Sequence, residues 1–263
     1  ETDARDHAAI VWRRNHSIAH IEQWIAPQCD ATWLCVVTDD RPGLLASLSA
    51  AITAHSLNIL DAKIYCHLDG NQRSEAVDFF RVVPVTANAP NTLNATELAA
   101  LSSTIAGVLR GKIDLRTLRE RALPTWRPVT RPQTSVYFGE SCGGENRLIV
   151  ETDDQPGLLA SITTALFKLS ISIEWSNVAT IAGRVYDEFH LVAHDGMPFN
   201  PLRKDSVIAH IAAALDLLEP TSDDGSPRAS EDEDDQDGCR PSRMMEPMPA
   251  PGLQRLSKAP GSF

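Results

Sequence analysis

No run of apolar residues in the 263-residue chain approaches the ~18–20 needed to cross a bilayer as a helix. Cysteine is scarce: Cys29, Cys35, Cys66, Cys142 and Cys239 are odd in number and contain no CxxC pair. A disulfide framework or zinc ribbon is therefore not expected, and a reducing, cytoplasmic compartment fits best. Basic residues are in the minority, with 24 Lys and Arg against 35 Asp and Glu, for a net charge of -11. That balance argues against a grip on nucleic-acid phosphates, which needs clustered cations. No basic segment followed by an apolar stretch marks a secretion signal. The chain opens at Glu1 rather than Met, which suggests a fragment or a processed chain.

What is present is distributed unevenly. From Glu219 onward the chain holds 10 acids and 5 bases, so this stretch carries -5 and residues 1–218 carry -6. The stretch is rich in Pro, Ser and Gly and nearly free of β-branched and aromatic residues. It cannot bury enough apolar surface to offset its ordering entropy, so a disordered acidic tail is expected over 220–263. Hydrophobic residues make up 43% of the whole chain, and residues 1–218 suit two small domains.

An internal repeat organises them. Thr38–Ser47 reads TDDRPGLLAS and Thr152–Ser161 reads TDDQPGLLAS, nine identities in ten positions at an offset of 114. Downstream, Leu48, Ile52, Leu57 and Ile59 match Ile162, Leu166, Ile171 and Ile173. Asp78-Phe79-Phe80 then answers Asp187-Glu188-Phe189 at an offset of 109. The five extra residues in the first copy fall in a polar turn at His67–Ser74 containing Asp69-Gly70.

Periodicity gives each copy the same order. Short apolar strands at Trp33–Val37 and Arg147–Val150 precede the shared turn. Helices follow, striped by Leu44, Leu45, Leu48 and Ile52, and by Leu158, Leu159, Ile162, Leu166 and Leu169. Second strands are expected at Leu57–Cys66 and Ile171–Thr180, and third strands at Glu75–Val83 and Arg184–Ala193. Second helices carry Leu98, Leu101, Ile105, Val108 and Leu109, or Val207, Ile208, Ile211, Leu215 and Leu218. The order β-α-β-β-α lacks one strand of a ferredoxin-like βαββαβ unit. Thr134–Glu140 can supply one such strand. The fold class is thus α+β, two ferredoxin-like units in tandem. Boundaries follow: a helical lead-in at 1–30, a first unit at 31–120, a Pro-rich linker at 121–133 (RALPTWRPVTRP), and a second unit at 134–219. Within the lead-in, Val11, Trp12, Ile18, Ile21, Trp24 and Ile25 suggest a helix with an apolar side. Pairing between units would extend each sheet and remove an edge.

The repeated turn carries the chemistry. Pro42 and Pro156 sit where a helix begins, a position that tolerates a missing N–H. Gly43 and Gly157 leave the helix mouth open, so free N–H groups and the helix dipole favour a carboxylate or phosphate. Asp40 and Asp154 either cap the helix or face an ammonium. A zwitterion, such as an amino acid, matches both halves, although Asx-Pro-Gly is also an ordinary strand-to-helix turn.

DDRPGLLASLSAAITAHSLNILDAKI (Asp39–Ile64) and DDQPGLLASITTALFKLSISIEWSNV (Asp153–Val178) resemble ACT domains, regulatory amino-acid-binding modules. The tandem arrangement resembles the C-terminal region of bacterial PII uridylyltransferase/uridylyl-removing enzymes. Three pieces carry this: the lead-in IVWRRNHSIAHIEQW (Ile10–Trp24), the Leu123-Pro124 link, and GRVYDEFHLV (Gly183–Val192), over about Asp6–Leu218. The resemblance implies glutamine sensing that shifts such an enzyme from adding UMP to the PII signalling protein towards removing it. It implies a first site of Asp40, Arg41, Pro42, Gly43 and Leu44 with Asn58 and Ile59 on strand two. A second site would hold Asp154, Gln155, Pro156, Gly157 and Leu158 with Ser172 and Ile173. Ser172 in place of Asn, and Gln155 in place of Arg, suggest a weaker or different second site. ACT–ACT pairing within or between chains is implied as well.

No nucleotidyltransferase Gly-Ser turn with paired carboxylates is present, and no His-Asp pair in an HD context. The chain as given is therefore expected to be inert as a transferase, with no cofactor of its own. Mg²⁺ would belong to catalytic domains preceding Glu1. A free-standing tandem ACT regulator without catalytic activity is the alternative, distinguished by the coding sequence upstream. His16 with His20, and His190 with His194, are spaced to share a face but lack further ligands. Cys35 and Cys66 read as small hydrophobes within strands.

Overall fold

The computed structural model describes residues 9–15, 17–24, 31–68, 74–86, 90, 92–122, 133–139 and 146–216. The acidic tail at 220–263, nearly all of the linker, His16, Cys29, Cys142 and Cys239 lie outside them.

The described chain follows the repeat. Strands β1 (Ala19–Trp24) and β2 (Thr32–Asp39) lead into helix α1 (Leu44–Ala54), then β3 (Leu57–Leu68), β4 (Ser74–Pro84), α2 (Ala95–Leu109) and α3 (Leu115–Ala122). The second copy runs β5 (Ser135–Phe138), β6 (Asn146–Asp153), α4 (Leu158–Lys168), β7 (Ile171–Ile181), β8 (Arg184–Ala193) and α5 (Pro201–Asp216). All eight strands join one antiparallel sheet in the order β1-β2-β4-β3-β7-β8-β6-β5. Within each half the order is that of a ferredoxin-like unit, so the structure is two such units in tandem.

The missing fourth strand comes from an unexpected direction. In each half it precedes the unit: β1 pairs with β2, and β5 pairs with β6. Residues 9–13 are helical, but Ala19–Trp24 is a strand, which corrects the reading of the whole lead-in as a helix. The cause is alternation across the sheet. Ala19 and Ile21 pack on the main core, while His20 and Glu22, at the alternate positions, bond each other at 2.7 Å. Within the expected Thr134–Glu140, Ser135–Phe138 is that strand for the second unit.

The two halves do not meet as separate globules. At the centre, Asp61, Ala62 and Lys63 pair with Ala179, Val178 and Asn177. Lys63 and Asn177 occupy equivalent positions in the repeat and face each other, which marks a local two-fold axis. Ser49 and Thr163, also equivalent, meet on it in the helix layer, their hydroxyls 3.1 Å apart. Both hydroxyls also return a bond to the carbonyl four residues earlier, so neither is left unsatisfied. One apolar cluster between sheet and helices spans both units, from Leu34, Phe80 and Leu101 to Leu148, Phe189 and Ile211. The opposite face of the first unit holds a smaller cluster of Ile10, Cys35, Val37, Val77 and Phe79. Burial there pushes the Cys35 thiol up to about 12, so it acts as a small hydrophobe and not a nucleophile. The side chain of Cys66 lies outside the described residues.

Candidate functional site

The shared Arg/Gln-Pro-Gly-Leu folds as a turn rather than as the first helical residues. Leu44 N–H donates to Arg41 O at 3.1 Å, and Leu158 N–H to Gln155 O at 3.2 Å. Proline stands at the second position of each turn. Glycine stands at the third with φ 74° and 84° and ψ 12° and 3°. That is the type II geometry, which requires a positive φ where glycine alone is unstrained. The helices begin only at Leu44 and Leu158, with glycine as the capping residue, so Pro42 and Pro156 lie ahead of the helix, not in its first turn. Neither aspartate caps it: no side chain bonds the helix N–H groups at either end. Asp40 Oδ2 accepts from Ser74 Oγ at 3.1 Å instead.

The two-fold relation redistributes the expected site residues. Each second strand starts beneath the turn of the other unit. Asn58, expected beside Asp40, instead donates from Nδ2 to Asp154 Oδ2 at 2.9 Å. Ile59 lies in the main core. Ser172 and Ile173, expected beside Asp154, line a cavity of about 450 Å³ together with Asp40, Arg41, Pro42, Gly43 and Leu44. The grouping by unit is thus corrected to a grouping across units. The cause is the β3–β7 seam, which sets each unit's second strand against its neighbour.

The two mouths have diverged. In the first, Asp40, Arg41 and Pro42 are exposed, whereas Gln155 in the second is only 3% exposed. Burial raises Asp154 above the usual carboxylate range, opposed by its bond from Asn58 and one from the Gln155 N–H. The second turn therefore closes on residues of the chain itself. In the first, the Arg41 guanidinium turns aside to donate to Leu109 O at 2.8 Å, at the C-terminal end of α2. Ser172 Oγ and His194 Nε2 bond at 2.5 Å on the cavity wall.

Several lining residues lie outside the expected site, and four of them bear on its chemistry. Phe167 stands against Gly43, and a Cβ built there would lie 2.7 Å from its ring. Its equivalent in the first unit is Thr53, which stands over Gly157 at 3.3 Å. Glu174 and His194 line the wall, and Asp78 lies on β4 within the cavity lining, 1% exposed. The sequence did carry a signal for the last. Asp78 and Asp187 are equivalent acids inside otherwise apolar strands. A repeated buried charge needs a partner or a purpose.

Of the two histidine pairs, His16 lies outside the described residues, and the other three have partners within the chain. His20 bonds Glu22, His190 stacks edge-on to Trp175 at 4.8 Å, and His194 bonds Ser172. Among the described residues no group of three metal-ligating side chains converges, and no helix is long and apolar enough to cross a membrane.

The two ferredoxin-like units, paired edge to edge around repeated Asp-x-Pro-Gly-Leu-Leu turns, have the tandem architecture expected from the sequence. In sequence the chain is similar to bifunctional uridylyltransferase/uridylyl-removing enzymes. It is 29% identical to that of Rhodospirillum rubrum over 175 residues, covering 65% of this chain and 18% of that protein. It is 28% identical over 204 residues to that of Bradyrhizobium diazoefficiens, covering 73% and 21%. With that of Phenylobacterium zucineum it shares 26% over 222 residues, covering 83% and 23%. The chain thus spans about a fifth of the length of these curated relatives. No family model matches. Among solved structures, a protein of unknown function from Galdieria sulphuraria shares 22% identity, covering 71% of this chain and 91% of that one, at a TM-score of 0.22. The ligand-free regulatory subunit of aspartate kinase from Thermus thermophilus shares 13%, covering 74% and 95%, at 0.21. The fold assignment rests on strand order, not on these scores.

Proposed function

We propose that this chain is the glutamine-sensing regulatory region of a PII uridylyltransferase/uridylyl-removing enzyme, acting in the cytoplasm, with the first mouth as its working site. The observation that carries the reading is the cavity bounded by the Asp40–Leu44 turn of one unit and the Ser172–Glu174 strand of the other. An amino acid there touches both units at once. Its α-carboxylate suits the N–H groups at the start of α1, and its ammonium suits the exposed acids Asp40 and Glu174.

Regulation then follows from differential binding. A ligand that bridges two units favours the arrangement in which the bridge closes, and shifts the balance by its difference in affinity for the two arrangements. The route outward runs through Asp39. Its carboxylate takes a bond from Arg14 Nη2 at 2.8 Å, while Arg14 Nη1 donates to Glu75 at 2.6 Å. Arg14 belongs to the lead-in, so the segment leading towards any preceding domain is fastened beside the mouth. In such an enzyme the output is the choice between modifying PII and reversing that modification.

Calorimetric titration of this chain with a panel of amino acids tests the reading. Glutamine should bind at one equivalent per chain, and Gly43→Leu should weaken it far more than Gly157→Leu. Binding of a different amino acid with glutamine silent would overturn the assignment.

A further inference from the structure

The strongest unexplained feature of the first mouth is the carboxyl at its base. Asp78 sits on β4 between Val77 and Phe79, which face the outer cluster, so its own side chain turns towards the helices. It is 1% exposed, and its Oδ1 has no hydrogen-bond partner. A backbone N–H from Tyr65 serves the carboxyl elsewhere. A buried polar oxygen without a partner is unfavourable, and native interiors rarely keep one without a reason. Here the group lines the cavity that the turn, Phe167 and Ser172 enclose.

We propose that the Asp78 carboxyl is a ligand-contacting residue that hydrogen-bonds the side-chain carboxamide of the bound amino acid. The inference rests on the reading above and names what selects the ligand. Three observations favour a neutral amide over a charged group at this position. Burial, followed by the nearby charge of Asp40, pushes Asp78 well above the usual carboxylate range, which favours the neutral acid with its O–H. An O–H donates to an amide carbonyl and does nothing comparable for an ammonium. The acids able to face an ammonium, Asp40 and Glu174, lie at the exposed rim instead. Finally, the lining has no basic group directed at a side-chain carboxylate, since Arg41 bonds Leu109 O. A glutamate side chain would bring its charge towards Asp40, Asp78 and Glu174. A glutamine side chain fits the same space without that repulsion.

The second unit supplies its own control. Asp187 is the equivalent residue, also 1% exposed and likewise beside a backbone N–H, that of Ala179. It lies under the mouth that Asn58 and Asp154 close, so it should not affect ligand affinity.

The test is titration of the whole chain with glutamine and with norvaline, which keeps the side-chain length but lacks the amide. Asp78→Leu should weaken glutamine by about tenfold or more, one hydrogen bond's worth, and leave norvaline unchanged. Asp78→Asn can both donate and accept, and should retain glutamine within roughly threefold. Asp187→Leu should match the parent. Undiminished glutamine binding by Asp78→Leu would overturn the contact while leaving the sensor reading intact. Equal loss in Asp78→Asn and Asp78→Leu would show that charge is required and overturn the carboxamide assignment. A second readout needs no variant. Binding heats in buffers of different ionisation enthalpy should reveal no proton release. Release of one proton per ligand would mark Asp78 ionising against an ammonium. A parent chain that ignores glutamine would overturn both this inference and the sensor reading.

Discussion

Substituting alanine at the two turn glycines separates backbone strain from contact, because the repeat places the same residue in two surroundings. At Gly43 φ is 74° and at Gly157 it is 84°, so an L-residue meets the same left-handed penalty of about 1–2 kcal/mol at either position. The stiffer unfolded chain returns roughly 0.4–1 kcal/mol of this in both. The neighbours differ. The new methyl at Gly157 meets only Thr53 Cγ2 at 3.3 Å, which a small shift relieves. At Gly43 it meets Phe167 Cδ2 and Cε2 at 2.7 Å and Cγ at 3.0 Å. Contact with Cγ cannot be relieved by turning the ring about its own axis, so the whole side chain must swing. Overpacking of this kind costs about 1–3 kcal/mol. Gly157→Ala should therefore cost about 1 kcal/mol and Gly43→Ala about 2–4 kcal/mol. Urea unfolding measures both, and the double variant Gly43→Ala/Phe167→Ala completes a cycle. The cycle should return a coupling of about 1–2 kcal/mol between positions 43 and 167. Equal costs at the two glycines, or no coupling, would refute the claim that Phe167 packs on the first turn.

Other perturbations read other parts of the structure. Asp78 and Asp187 keep protons in the folded chain that the unfolded chain releases, so stability is greatest below the ordinary carboxylate pKa and falls as pH rises towards the folded values. The slope is about 1.4 kcal/mol per pH unit for each group, and Asp187→Asn should remove one group's share of it in urea midpoints taken from acid to neutral pH. An unchanged slope would mean that Asp187 is ionised in the fold. Asn58→Ala removes the bond to the largely buried Asp154 carboxylate and should cost about 1.5–3 kcal/mol, where an exposed asparagine would cost little. Arg14→Ala should cost about 2 kcal/mol, since Arg14 and Glu75 are only 10% and 13% exposed. Arg13→Ala, whose partner Glu22 is met by a half-exposed guanidinium, should cost under about 1 kcal/mol. Similar losses for the two arginines would show that the Arg14 pair is not what fastens the lead-in.

Much of this arrangement is visible in the sequence because duplication prints every structural demand twice. The Pro-Gly of each turn, the leucines on one helical face and the strand order follow from local rules that need no neighbour. What escaped detection depends on the neighbour. Ile18, just before β1, and Ile21 within it have a spacing that also suits a helix, and only the pairing with β2 decides for a strand. Asn58 stands in the same unit as Asp40 and naturally groups with it by sequence, yet the two-fold axis through Lys63 and Asn177 delivers it to Asp154. Phe167 reads as part of an apolar helix until the other unit's Gly43 is set beneath it. Asp78 was noticed as a marker of repeat register, while its burial and its place in the cavity required the fold.

Divergence around the axis accounts for how a symmetric scaffold can give a single-valued response. Two identical mouths on a two-fold interface would load in two steps, and each ligand would brace the same seam. Here one mouth is held shut by Asn58 and Asp154, with Gln155 buried beside them. In position, that internal bond is the equivalent of what a ligand would make in the other mouth. The second side of the β3–β7 seam is thus already braced, and under the proposed function a ligand filling the cavity between Gly43 and Ser172 would brace the first. The ligand then supplies the half of a symmetric contact set that the chain lacks. If the first mouth takes glutamine as proposed, Asn58→Ala should weaken regulation through the closed side, by loosening a seam that the ligand at the open side must then hold alone.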